Sequence, residues 1–248
     1  MFRKLAEGDI HLKGPGDYVT EADLASERAL TARLREIRDI PVVGEEASAA
    51  DPSLPDRLGE VPAAWVVDPI DGTAHFVKGS PTYGVMVALV ENGESVAGWI
   101  LHPETGNLYA ASRGEGATLN GEKLPLREYP RANISELRFA APLTYAPPVI
   151  ADHLRSVSDQ FGAFPNTRMC AAFDYIDLIN GDVDVLMFFR TKAWDHAPGA
   201  AIVRECGFEA KRLDGSEYTP AIQGEPLLLA HRNTWEAVRD VVTPPPGH

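Results

Sequence analysis

Scarcities narrow this chain before any motif is read. Cysteine is rare: only Cys170 and Cys206 occur in 248 residues. Two are too few for a disulfide framework, so a reducing, cytoplasmic setting is the simpler expectation. No apolar run approaches the roughly 20 residues that a membrane-spanning helix needs. The N-terminal stretch MFRKLAEGDIHLKG lacks the apolar centre of a secretory signal, so no membrane partner is expected. Basic excess is missing too, with 23 Lys and Arg against 36 Asp and Glu and a net charge of −13. Nothing there would displace counterions from a nucleic acid, which is excluded as the main partner. There is no Ser-His-Asp signature and no internal repeat. What the chain has is apolar content, 44%, enough for a full core in one large domain or two intimate halves.

The stretch WVVDPIDGT, Trp65–Thr73, organises the rest. Trp65-Val66-Val67 reads as the end of a buried strand. Pro69 has no N–H and biases Asp68 toward extended backbone, so the ladder is expected to stop there. Asp68 and Asp71 then share a turn, with Gly72-Thr73 opening a helix. Two converging carboxylates repel unless a cation lies between them, and oxygen clusters suit Mg²⁺ or Ca²⁺. A helix start just downstream offers free N–H groups to an anion. Metal beside anion cradle outlines a phosphate-ester site; an Asp-Pro turn with an Asp helix cap is the alternative for the bare motif.

Other segments fall around it. Gly14-Pro15-Gly16 breaks the polar N-terminal stretch. Thr20 is a candidate N-cap with Asp23 three residues on, opening a helix to about Arg38. Asp23 then sits in the first turn, where compensating the helix dipole is its ordinary use. Ile40–Val43 reads as a short strand ending in Gly44-Glu45-Glu46. Residues 47–60 read as a mobile loop, a natural lid. Tyr83–Asn120 forms an antiparallel meander turning at Glu91–Glu94. Residues 121–135, with Pro125 and Pro130, are the expected seam. Farther on, helices are expected at Ile150–Gln160 and Cys170–Ile179, the latter capped by Gly181. A strand is expected at Val183–Phe189, then Asp195 and His196 ahead of a helical run at Ala200–Cys206. Short strands at Phe208–Ala210 and Leu227–Ala230 precede a Pro-rich tail, Thr243–Pro246.

Taken in order, VTEAD (19–23), GEE (44–46), DPIDGT (68–73) and WDHAPG (194–199) resemble the inositol monophosphatase family. The likeness covers nearly the whole chain, including the meander with VENGE and GEGATLNGE. It implies an α/β fold, a layered α/β/α/β/α sandwich of the sugar-phosphatase type, as a single catalytic domain over 1–248. The half at about 1–127 would carry most metal ligands, and that at about 128–248 Asp195 and the substrate contacts. It further implies a cytoplasmic homodimer with Mg²⁺-dependent, lithium-sensitive phosphomonoesterase activity, using two or three ions. By motif, Glu45, Asp68 and the Ile70 carbonyl would hold one ion, and Asp68, Asp71 and Asp195 a second. Gly72 and Thr73 would offer N–H groups to phosphate, and the Thr73 hydroxyl, paired with Asp23, would orient the attacking water.

The chain also departs from that pattern. The family commonly carries a further helix ahead of the segment equivalent to Lys13–Asp23, where this chain has little sequence. Inositol-selective members place a glutamate seven residues before the last aspartate; here that position is Phe188, followed by Phe189 and Arg190. A phenyl ring cannot pair with substrate hydroxyls. Met169-Cys170-Ala171 falls on the family's substrate-facing backbone. Arg190, Lys192 and Arg168 are candidates for a second anionic group or ordinary surface charges. Cys170 reads as a small core residue, and His75 and His196 as structural or as supports beside the site, with His196 able to affect the pH profile through an ordinary pKa near ~6.5. Inositol-1-phosphate is the default small-molecule substrate. The alternatives are 3'(2'),5'-bisphosphate nucleotides, histidinol phosphate and fructose 1,6-bisphosphate; Ala74-His75-Phe76 differs from the nucleotidases' Lys-Glu-Phe. A reading from another class is a metal-binding scaffold without turnover.

Overall fold

In a computed structural model the described residues are 7–14, 17–126 and 133–245. A hairpin of β1 (Ile10–Gly14) and β2 (Asp17–Thr20) leads into α1 (Glu21–Ile37). Next come β3 (Val42–Gly44), α2 (Glu45–Ala50), β4 (Ala63–Asp71) and α3 (Thr73–Val77). The meander is β5 (Gly84–Glu91), β6 (Glu94–His102), β7 (Asn107–Ser112), β8 (Gly116–Leu119) and β9 (Glu122–Lys123). Then follow β10 (Phe139–Ala140), α4 (Pro148–Val157), α5 (Ala171–Asn180), β11 (Val185–Phe188) and α6 (Ala193–Glu205). The series closes with β12 (Phe208–Arg212), β13 (Leu227–His231) and α7 (Trp235–Val242).

Strand periodicity explains the layers. In β4, Trp65 and Val67 pack with Leu34 and Leu30 of α1, while Ala64 and Val66 pack with Trp194 and Ala197 of α6. Alternate residues point to opposite faces, so one strand is covered by helices on both sides. The four-stranded sheet, ordered β10-β11-β13-β12, repeats the device. Val185 and Met187 face Leu154, Trp235 and Val238 of α4 and α7, whereas Leu186 and Phe188 face Tyr175 and Ile202 of α5 and α6. The result is α1, a seven-stranded sheet, α5 and α6, the four-stranded sheet, and α4 with α7: the layered α/β/α/β/α sandwich. No helix among the described residues is long and apolar enough to cross a membrane.

Several expectations change. Pro69 does not stop the ladder: β4 continues to Asp71, with Asp68 opposite Met86 and Asp71 opposite Gly84. Three steps on β4 against two on β5 make a bulge, which absorbs the residue that cannot donate. Residues 47–60 are not a loop. Ala47–Ala50 belong to α2, Leu54–Gly59 form a 3-10 turn, and Leu58 is buried in the core. Helix α6 starts at Ala193 rather than Ala200, with Pro198 inside it. The β1–β2 hairpin and α7 were not expected. Pro15 and Gly16 of the N-terminal break, residues 127–132 of the seam with Pro130, and Pro246 of the tail lie outside the described residues.

The helix carrying Asp195 lies tight on the sheet. At Gly98 of β6 an added Cβ would overlap the Pro198 carbonyl and meet the Ala201 side chain. Gly98→Ala is therefore predicted to destabilise the protein by about 1–3 kcal/mol through overpacking, read as a lower urea midpoint. An unchanged midpoint would mean that α6 can shift without loss.

Candidate active site

The β4 bulge decides where the acids go. Asp68 shares its face with Ala64 and Val66, the face covered by α6. Asp71 is three residues further, so strict alternation would send it to the α1 face. The extra residue returns it to the side of Asp68. Strand β3 pairs parallel to β4, Gly44 beside Val67, so α2 opens with Glu45 at the same sheet end. Asp195 arrives from the first turn of α6. One carboxylate oxygen from each of Asp68, Asp71 and Asp195 lies within 4.8 Å of the others.

This proximity is electrostatically unfavourable. Burial first, then the charges of Glu45, Asp71 and Asp195, hold the Asp68 carboxyl well above the usual carboxylate range. Asp195 is raised by burial and then by Asp71 and Glu45, and stands within hydrogen-bond reach of Asp68. Asp71 is raised mainly by burial, against the stabilising bonds it accepts. These come to its Oδ2 from the Cys170 thiol at 3.0 Å and the Ala172 N–H at 2.6 Å. Such a set needs shared protons or a cation. Its donors are all hard oxygens, which fit Mg²⁺ and not a thiophilic metal.

Thr20 and Asp23 form a capping box: Thr20 N and Oγ1 donate to Asp23 Oδ2 at 2.8 and 2.6 Å. The Thr73 hydroxyl has one proton, lying between the Ile70 carbonyl at 2.9 Å and Asp23 Oδ1 at 3.3 Å. Gly72, at φ 84°, turns the chain from β4 into α3. A Cβ there would crowd the Cys170 sulfur and the Thr82 carbonyl.

Beside the acids opens a cavity of about 550 Å³. It is lined by Glu45, Asp68, Ile70, Asp71, Gly72, Thr73 and Asp195, and the rest of its wall includes Met169, Cys170, Ala171, Phe188, Arg190 and Lys192. Met169 holds a left-handed φ of 57°, a strained setting for a non-glycine residue. Phe188 stacks on Tyr175 and meets the His196 ring. The Arg190 guanidinium lies 4.2 Å over the Tyr145 ring.

Arg168 does not join them. Its side chain is paired with Asp177 at 2.7 and 3.1 Å. The His75 ring donates from Nε2 to the Arg168 carbonyl at 3.0 Å. His196 is buried with its pKa lowered by burial to about 4, so it stays neutral and does not shape a pH profile near neutrality. Cys170 is buried, and burial with the Asp71 charge pushes its thiol up, which removes it as a nucleophile. Tyr18, Tyr145 and Asp174 also line the cavity and were not singled out. Asp174 is raised to about 8 by burial, although it accepts the Arg168 N–H. Only its helical spacing was visible in sequence.

A family model described as the inositol monophosphatase family matches residues 2–242. The chain is 32% identical to a probable inositol 1-monophosphatase of Mycobacterium tuberculosis, covering 87% of this chain and 78% of that protein. It is 30% identical to a fructose-1,6-bisphosphatase/inositol-1-monophosphatase of Aquifex aeolicus, covering 83% and 76%. A solved IMPase/NADP phosphatase complexed with Mg²⁺ and phosphate has a TM-score of 0.81 at 22% identity, covering 96% and 87%. That last likeness speaks to the fold.

The raised acids set a pH dependence for the metal-free protein. Each holds its proton to higher pH folded than unfolded, where Asp titrates near ~4. The folded state therefore binds more protons through that window, and stability falls as pH rises. In EDTA the thermal midpoint is predicted to decline between about pH 5 and pH 8, and Asp68→Asn should raise it at the upper end. A midpoint that climbs over this range in EDTA would contradict like-charge strain in the cluster.

Proposed function

The chain belongs to the inositol monophosphatase family of phosphatases, and we propose that it is a Mg²⁺-dependent phosphomonoesterase acting on a small sugar or polyol phosphate, inositol-1-phosphate first. The observation that carries this is the convergence of Asp68, Asp71 and Asp195 from both halves of the chain within 4.8 Å. Their mutual repulsion asks for a cation. In this reading Glu45, Asp68 and the Ile70 carbonyl would hold one Mg²⁺, and Asp68, Asp71 and Asp195 another. Residues 1–127 and 128–248 act as one catalytic domain closed around them. Lithium sensitivity, a homodimer and a cytoplasmic setting belong to the same proposal.

When bound, Mg²⁺ supplies the positive charge that offsets the phosphoryl oxygens and makes water acidic enough to attack. The chain's own groups do the orienting. Gly72 and Thr73 present N–H groups at the start of α3, where helical partners are lacking. With the Ile70 carbonyl engaged by metal, the Thr73 hydroxyl would turn its one proton from that carbonyl to Asp23 Oδ1 and accept a hydrogen bond from the attacking water, which would set the direction of attack. Asp23 keeps that orientation because Thr20 ties down its other oxygen. The cavity wall then sorts leaving groups.

A second reading is favoured by that wall. Phe188 offers no acceptor for an inositol hydroxyl, while Arg190 and Lys192 bring two cations to the same cavity. A substrate with an additional anionic group, such as fructose 1,6-bisphosphate or a nucleoside bisphosphate, would use them.

Phosphate release is the test, run with Mg²⁺ or EDTA on inositol-1-phosphate, histidinol phosphate, fructose 1,6-bisphosphate and 3'-phosphoadenosine 5'-phosphate. Metal-dependent turnover of one compound is expected, with Asp71→Asn and Asp195→Asn lowering kcat/KM by about a hundred-fold or more. Tight binding of a partner protein without turnover of any ester would favour a scaffold instead. Separately, Arg190→Ala should raise KM for a doubly anionic substrate about ten-fold and leave inositol-1-phosphate nearly unaffected. Equal effects on both would remove the second reading.

A further inference from the structure

Helix α1 turns two acids, Asp23 and Glu27, toward α3 and α2. Glu27 lies one turn on, four residues later and therefore on the same face; it is 7% exposed. Its carboxylate grips the start of α2. Oε2 accepts the Glu46 N–H and Oε1 the Ala47 N–H, each at 2.8 Å. Helix α2 has only six residues, and its N-cap, Gly44, has no side chain to satisfy those donors. A carboxylate from another helix therefore caps it from outside.

Gly44 supports this from the other direction. Its φ of −104° is open to any residue, so glycine is not required by backbone conformation. It is required by space, since a Cβ there would overlap the Glu27 carboxylate. Two positions 17 residues apart in sequence are thus matched to one contact. The contact sits directly beside Glu45, the first residue of α2, which lines the cavity.

We propose that Glu27 is a positioning residue that fixes the first turn of α2 so that Glu45 faces the acid cluster. This rests on the reading of Glu45 as a metal ligand. Helix α1 then sets both sides of the site, Thr73 through Asp23 and Glu45 through Glu27. Without the Glu27 carboxylate two N–H groups at a largely buried helix start lose their acceptor, and the turn must rearrange to satisfy them.

The test is Mn²⁺ binding by titration calorimetry on folded protein, with the thermal midpoint in EDTA recorded beside it. Glu27→Ala should weaken binding about ten- to a hundred-fold, and Glu27→Gln less, since its amide keeps one acceptor. Gly44→Ala should reproduce the defect by displacing the carboxylate. In the Glu27→Ala background it should add little, because the space is already vacant. Should Glu27→Ala fail to fold, Glu27→Gln and Gly44→Ala carry the comparison. Glu45→Gln is the reference. If it weakens binding while the Glu27 and Gly44 variants bind as wild type, with only the midpoint lowered, positioning by Glu27 is overturned. If Glu45→Gln itself binds as wild type, the ligand reading of Glu45 falls instead.

Discussion

Like charges held together in a buried place are the constraint on which this structure turns. Asp68, Asp71 and Asp195 would separate if the backbone let them, and the backbone does not. The β4 bulge turns Asp71 to the side of Asp68, and Gly98 lets α6 lie close enough to bring Asp195 against both. The apolar layers on each side of β4 hold that arrangement against the repulsion. Burial and the neighbouring carboxylates together make Asp68 and Asp195 hold their protons more tightly, a condition a divalent cation would relieve.

Much of the acid cluster was legible in the sequence because its residues sit in short, punctuated segments. DPIDGT and WDHAPG carry their turn and helix signals beside the acids, and the Thr20–Asp23 capping box is a local pattern. Pro69 was misleading for a physical reason. A proline lacks a donor, but a bulge leaves one position unpaired, so the strand could pass through it. Helix α6 begins seven residues before the expected run at Ala200 and carries Pro198 within it. Residues 47–60 look like a polar loop because their helices are short; Leu58, with Leu54 packed beside the same cluster, supplies the apolar anchor.

What remained hidden depends on contacts between distant segments. Glu27 is one more acid on an amphipathic helix until Gly44 is seen beneath it. Tyr145 is an isolated aromatic until Arg190 lies over its ring. Arg168 looks in sequence like Arg190, yet its partner is Asp177 on α5 and not a ligand. The ring of Phe188 is held by Tyr175 and His196, so the wall that departs from the inositol pattern is built into the core. The acid cluster and the Phe188 side of the cavity therefore follow different constraints, the first set by charge and the second by packing.

The central claim is that the acid cluster is a divalent-cation site. It is tested most directly by an anomalous difference map from crystals grown with Mn²⁺ and phosphate. A peak is expected among Asp68, Asp71 and Asp195, with an oxygen of each carboxylate at coordinating distance, and phosphate against the Gly72-Thr73 turn. A map with no peak there, and with the Asp68 and Asp195 carboxyls still hydrogen-bonded to one another, would contradict it.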